Sequence, residues 1–161
     1  MGNNTNYVEE YEYKINSGEI NACEKVKAVY ERDISFIKNP PKDFPYYFDP
    51  ERGNRHIEFM ETFCKQSKSP FAGKPIKFEL FQKAKLQLVF GWVQKDSGLR
   101  RFREVDDIRG RKNGKSTETA AVEWDVAVND GEMGGEIYCT ANKKDQARAI
   151  DFASHFSVIY R

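Results

Sequence analysis

The feature that most constrains this chain is the run Arg111-Lys112-Asn113-Gly114-Lys115-Ser116-Thr117, placed between a stretch with strand character and a stretch with helical periodicity. Strand, glycine-bearing basic loop and helix in that order form the context in which a loop can close around phosphate oxygens. Backbone amides from Arg111 to Lys115 would point inward, and glycine permits the tight path. A helix opening near Ser116 would add partial positive charge at the same place. Lys115 is then the mobile cation for the outer phosphates, and the Ser116 hydroxyl a ligand for Mg²⁺. The spacing is a variant: Gly110 and Gly114 enclose only Arg111, Lys112 and Asn113, and Arg109 stands where the first glycine of the usual pattern would be. The alternative is a basic surface turn ahead of a helix, since Gly-Lys-Ser by itself is common.

The residues ahead of the loop argue against a simple phosphate-loop fold. A strand feeding such a loop is normally central and apolar, whereas Val105-Asp106-Asp107-Ile108-Arg109 carries two carboxylates and a guanidinium. Buried without partners, such charges cost several kcal/mol each, on the order of 3–5 when a pair is broken. The helix after the loop has similar intrusions in Glu118, Glu123 and Asp125, which a wet helix face can hold.

The rest of the chain reads as helices followed by an α/β segment. Helices are predicted at Tyr7 to Asn16, at Glu19 to Lys38, where Ala22, Val26, Val29, Tyr30, Ile34 and Ile37 recur at helical intervals, and at Pro50 to Gln66, with Ile57, Met60, Phe63 and Cys64 on one stripe. Asn39-Pro40-Pro41 ends the second helix, and an extended aromatic-rich linker runs to Pro50. The turn formers of Ser67 to Pro75 mark a boundary between a helical region, 1–70, and a second domain, 71–161. A largely buried helix is predicted from Glu79 to Val93. A strand follows at Arg101 to Arg109, then the loop, a helix from Ser116 to Asn129, a strand at Glu136 to Thr140 and a helix from Lys143 to Val158. That order opens a parallel sheet with a crossover helix.

Composition narrows the function classes. With 39% apolar, 32% charged and 14% aromatic residues the chain is a folded one. Its net charge of +1 conceals a local excess: Arg100, Arg101, Arg103, Arg109, Arg111, Lys112 and Lys115 face Glu104, Asp106 and Asp107. Cys23, Cys64 and Cys139 have no paired spacing and read as thiols of a reducing compartment, and neither His56 nor His155 sits at a metal-binding interval from them. No apolar run approaches the roughly 18 residues that span a bilayer, so no membrane role and an intracellular location are expected.

At this point the residues resemble a known family, the large terminase subunits of tailed bacteriophages. Arg111 to Thr117 looks like that family's phosphate loop, with basic residues ahead of Gly-Lys. Lys77-Phe78-Glu79-Leu80-Phe81-Gln82 followed by Val89-Phe90-Gly91-Trp92 resembles its adenine-contacting segment. Leu99 to Val105 resembles the approach to its first strand, and Glu136 to Ala141 with Asp145-Gln146-Ala147-Arg148 its second strand and following helix. The resemblance runs from Phe48 to Phe156.

It implies a RecA-like ATPase, here incomplete, of the kind that works in the host cytoplasm with double-stranded phage DNA, a portal protein and a small terminase subunit. It further implies ATP and Mg²⁺ as cofactors. Carried over, Gln82 would contact adenine, Gly110 to Thr117 would surround the phosphates, Lys115 and Ser116 would bind phosphate and Mg²⁺, and Arg111, or Lys112 in its place, would steady transition-state charge. The bland alternatives are a solvated helix glutamine for Gln82 and a surface cation for Arg111.

The family's motor needs an apolar strand ending in Asp beside a second acidic residue, and none occurs between Ala141 and Arg161; the nuclease carboxylates are missing too. Binding without turnover is therefore expected, in a truncated or decayed product or a fragment of a longer chain. Two other readings compete. One is a helical module engaging portal or small terminase, with the loop a vestige. The other is a nucleic-acid binder using Arg100 to Lys115, ranked below because Asp106 and Asp107 interrupt the cations and Phe102 alone offers no stacking series.

Overall fold

The computed structural model describes residues 4–67 and 69–129. The chain divides into two compact units, one of Met1–Ile57 with Phe78–Asp106 and one of Glu58–Lys77 with Asp107–Arg161.

In the first unit, α1 (Tyr7–Asn16) starts at Asn6, whose Oδ1 accepts the Glu9 amide at 3.2 Å. Glu9 and Glu10 lie in its positive first turn and Lys14 in its last, as the helix dipole favours. α2 (Glu24–Lys38) begins five residues later than the periodicity predicts, because Glu19 to Cys23 is a turn and an extended cap. α1 packs on α2 and on α4 (Leu80–Gly91), burying Val8, Tyr11, Ile15, Tyr30, Ile34, Ala84, Leu88 and Trp92 in one core.

The predicted aromatic linker contains β1 (Tyr46–Phe48), and the predicted helix to Val93 stops at Gly91, where β2 (Trp92–Gln94) begins. The two strands are antiparallel, with Tyr46 opposite Gln94 and Phe48 opposite Trp92. This pairing sets the helix end, since it takes the backbone groups that further helix would use. α3 (Pro50–Phe63) starts after β1, and its Asn54 meets α4 through a buried amide cluster. Gly53 makes that approach possible: a Cβ there would lie 2.9 Å from Gln87 Cα.

The predicted strand from Arg101 to Arg109 does not form among the described residues. Arg100 makes an isolated bridge to Val93, and the Arg101 amide donates to Trp92 O at 2.9 Å, but the ladder ends there. Val105 is half exposed and Ile108 is 95% exposed. The physical reason is the one the charges announce: a core strand would have to desolvate Asp106, Asp107 and Arg109. The described sheet is thus a two-stranded antiparallel pair beside helices, and no strand of a parallel sheet is among the described residues. The predicted strand at Glu136 to Thr140 and helix at Lys143 to Val158 lie outside them.

In the second unit, Met60, Cys64 and Ile76 are buried, whereas Phe63 is exposed and leaves the stripe predicted for it. Lys65 and Pro75 form an isolated antiparallel bridge. α5 (Lys115–Asn129) buries Glu118, Ala120, Ala121 and Asp125.

Candidate functional site

Because α5 begins at Lys115, the basic run lies immediately ahead of a helix amino terminus, where the first amides have no partner within the helix. The turn that delivers the chain there uses two left-handed residues, Lys112 at φ 65° and Gly114 at φ 70°. Gly114 takes that conformation without strain, and its carbonyl accepts the Glu118 amide at 3.0 Å to start the helix. Arg111, Lys112, Asn113, Gly114, Lys115 and Ser116 are all exposed, as is Gly110; Thr117 is half-buried.

Arg109 organises the loop. Lys115 reaches back across it, and Nζ donates to Arg109 O at 2.7 Å. The Arg109 side chain turns the other way: Nη1 donates to Asn113 O at 3.2 Å, and Nη2 lies 2.7 Å from both Asp107 Oδ2 and Glu118 Oε2. One residue therefore holds both ends of the loop, by main chain and by side chain.

Two of the three charges that were anomalous in a core strand, Asp107 and Arg109, are partners of one another. Asp107, Arg109 and the almost fully buried Glu118 form one cluster, and pairing of this kind offsets the desolvation cost that a lone buried carboxylate would carry. Sequence reasoning flagged these residues as obstacles and missed them as a set. The available signal was their complementarity: two acids and one base flanking the loop.

An ammonium has three donors. With one spent on Arg109 O, Lys115 retains two for a ligand in front of the loop, and Arg111 and Lys112 add exposed positive charge. The donor set suits a polyphosphate. Ser116 presents an exposed hydroxyl, and the described residues contain no group of three His, Cys, Asp or Glu side chains able to hold a metal ion.

Gln82 belongs to the first unit and the loop to the second. Gln82 is buried in the first turn of α4, where its Oε1 accepts the Glu79 amide at 3.0 Å. The cation series from Arg100 does not form one basic face: Arg101 is taken into an aromatic cluster and Arg109 is paired with acids.

The family model for the terminase large subunit, ATPase domain, matches residues 80–157. Over that stretch the chain is similar to the ATPase domain of terminase large subunits, as the loop and its flanking segments led one to expect. No curated protein and no solved structure matches it. No helix among the described residues is long and apolar enough to cross a membrane.

Proposed function

We propose that this chain binds ATP with Mg²⁺ through the loop Gly110 to Thr117, in a terminase-related, genome-packaging role. The observation that carries the reading is the contact between Lys115 Nζ and Arg109 O, which closes a basic, glycine-bearing loop directly ahead of α5.

The main-chain amides of Arg111 to Lys115 and the start of α5 would receive phosphate oxygens. Lys115 would bind the outer phosphates with its two remaining donors, Arg111 or Lys112 would balance charge developing on them, and Ser116 would supply the protein's oxygen to Mg²⁺. In this reading a helical region over residues 1–70 precedes a RecA-like, parallel-sheet nucleotide-binding part over 71–161. Binding is assigned and turnover is not, because none of the assigned residues is a carboxylate poised to activate water. The partners are those of a packaging machine in a host cytoplasm: double-stranded DNA, a portal and a small terminase subunit.

The test is equilibrium binding of ATP with and without Mg²⁺. Saturable, Mg²⁺-dependent binding that Lys115→Ala abolishes is the expected result, and equal binding by the variant refutes the assignment.

A further inference from the structure

We infer that Glu118 is a positioning residue of the phosphate loop, which acts through Arg109 to fix the carbonyl that holds the Lys115 ammonium. The inference rests on the nucleotide-binding reading above and adds to it a device outside the phosphate-contacting residues.

Glu118 sits one turn into α5, 2% exposed, so its carboxylate is fixed by the helix and is not available to solvent. It meets Arg109 Nη2 at 2.7 Å, and Asp107 approaches the same nitrogen from the opposite end of the segment at 2.7 Å. Charge-assisted bonds of this length are directional and among the stronger ones in proteins. They fix the guanidinium, the guanidinium fixes Asn113 O, and the backbone of Arg109 is held with its carbonyl toward Lys115. Loop width is thereby set from the helix interior.

The same cluster sets the charge the ligand meets. A lone Glu118 carboxylate in the first turn of α5 would repel phosphate and counter the favourable field of the helix terminus. Arg109 neutralises it, while Asp107 keeps the Arg109 charge from competing with Lys115 for phosphate. The loop is left with Arg111, Lys112 and Lys115 as its acting cations.

The experiment measures binding of Mg²⁺-ATP, inorganic tripolyphosphate and adenosine to the 161-residue chain and to Glu118→Gln, Arg109→Gln, the double variant, Asp107→Asn and Lys115→Ala, with circular dichroism to show that each is folded. Glu118→Gln is expected to weaken ATP and tripolyphosphate by roughly tenfold and to leave adenosine unchanged. The double variant is expected to lose less than the two single losses combined, as for residues acting in one path. A merely structural role would lower all three ligands together or none.

Wild-type tripolyphosphate affinity in folded Glu118→Gln, or additive losses in the double variant, overturns the inference while leaving the loop assignment standing. If Glu118→Gln does not fold, Asp107→Asn decides: a smaller loss confined to the phosphate ligands supports the device, and no loss overturns it. Undiminished ATP binding by Lys115→Ala, or no binding by the wild type, removes the loop assignment and this inference with it.

Discussion

Gln87 Nε2 donates to Asn54 Oδ1 at 2.7 Å, joining α4 to α3 at a point where both residues are almost fully buried. The same amide donates to Thr5 O at 2.9 Å, and its Oε1 accepts the Val8 amide at 3.0 Å, so one side chain fastens the start of α1 to two other helices. Gln87→Leu removes these three bonds, together with a longer one from Nε2 to Pro50 O at 3.4 Å, and is expected to lower stability by about 3 kcal/mol. Gln87→Glu keeps the acceptor for Val8 but turns the donor toward Asn54 Oδ1 into a second acceptor, so it is expected to cost more. Urea midpoints of the two variants check the order; a Glu variant as stable as the Leu variant would show that the donor side contributes little.

Arg101 has its guanidinium 5.0–5.7 Å from the ring centres of Phe36, Phe44, Tyr46, Trp92 and Phe102. Its Nη1 is buried with no hydrogen-bond partner, so the enclosure is held by ring faces and by packing. Cation–π contacts contribute roughly 0.5–2 kcal/mol and do not sum over rings that share one cation. Arg101→Met is therefore expected to cost only about 1 kcal/mol, because it keeps the apolar volume and relieves an unpaired donor. Arg101→Ala, which empties the enclosure, is expected to cost about 3 kcal/mol. Thermal or urea unfolding of the pair measures the difference, and a Met variant as damaged as the Ala variant would give the charge the larger part.

The helices were legible because their signals are local. Tyr7 to Asn16 is bounded by a side-chain cap and Ser17-Gly18, and Pro50 opens α3 where proline is tolerated. The short sheet was not legible, since Tyr46–Phe48 and Trp92–Gln94 are three-residue strands whose partners lie far apart in sequence. Trp92 looked helical because it is apolar and follows a helical run; pairing with Phe48 overrode the propensity. Around the loop, the helix start at Lys115 could be read from Gly-Lys-Ser to within a residue. The role of Arg109 could not, because its partners Asp107 and Glu118 acquire meaning only once the turn brings them to one nitrogen.

Cys64 is buried beside the Asp125 charge; burial foremost, and then that carboxylate, pushes its thiol up to about 11 from 9.0. A folded-state pKa above the unfolded one means the folded chain holds this proton more tightly, so the contribution to stability is full below about pH 9 and is lost as pH rises toward 11. The melting temperature of the wild type is expected to fall more steeply over that window than that of Cys64→Ala. At pH 8, iodoacetamide should modify exposed Cys23 well before Cys64, because the thiolate is the reactive species. Parallel melting curves for the two proteins, or equal labelling of both cysteines, would count against this environment.

Lys112 holds a left-handed φ of 65° in the middle of the loop, a conformation that costs a residue with a Cβ about 1 kcal/mol. Lys112→Gly removes that strain along with one exposed cation, whereas Lys112→Ala removes the cation and keeps the strain. Neither variant is expected to lower stability by more than about 0.5 kcal/mol, and the Gly variant should equal or exceed the Ala variant. Both should weaken tripolyphosphate binding at low salt to a similar extent, with the loss shrinking as added salt screens the missing charge. A large difference in affinity between the two would place the contribution of Lys112 in the shape of the turn, while equal losses that vanish with salt would place it in the charge.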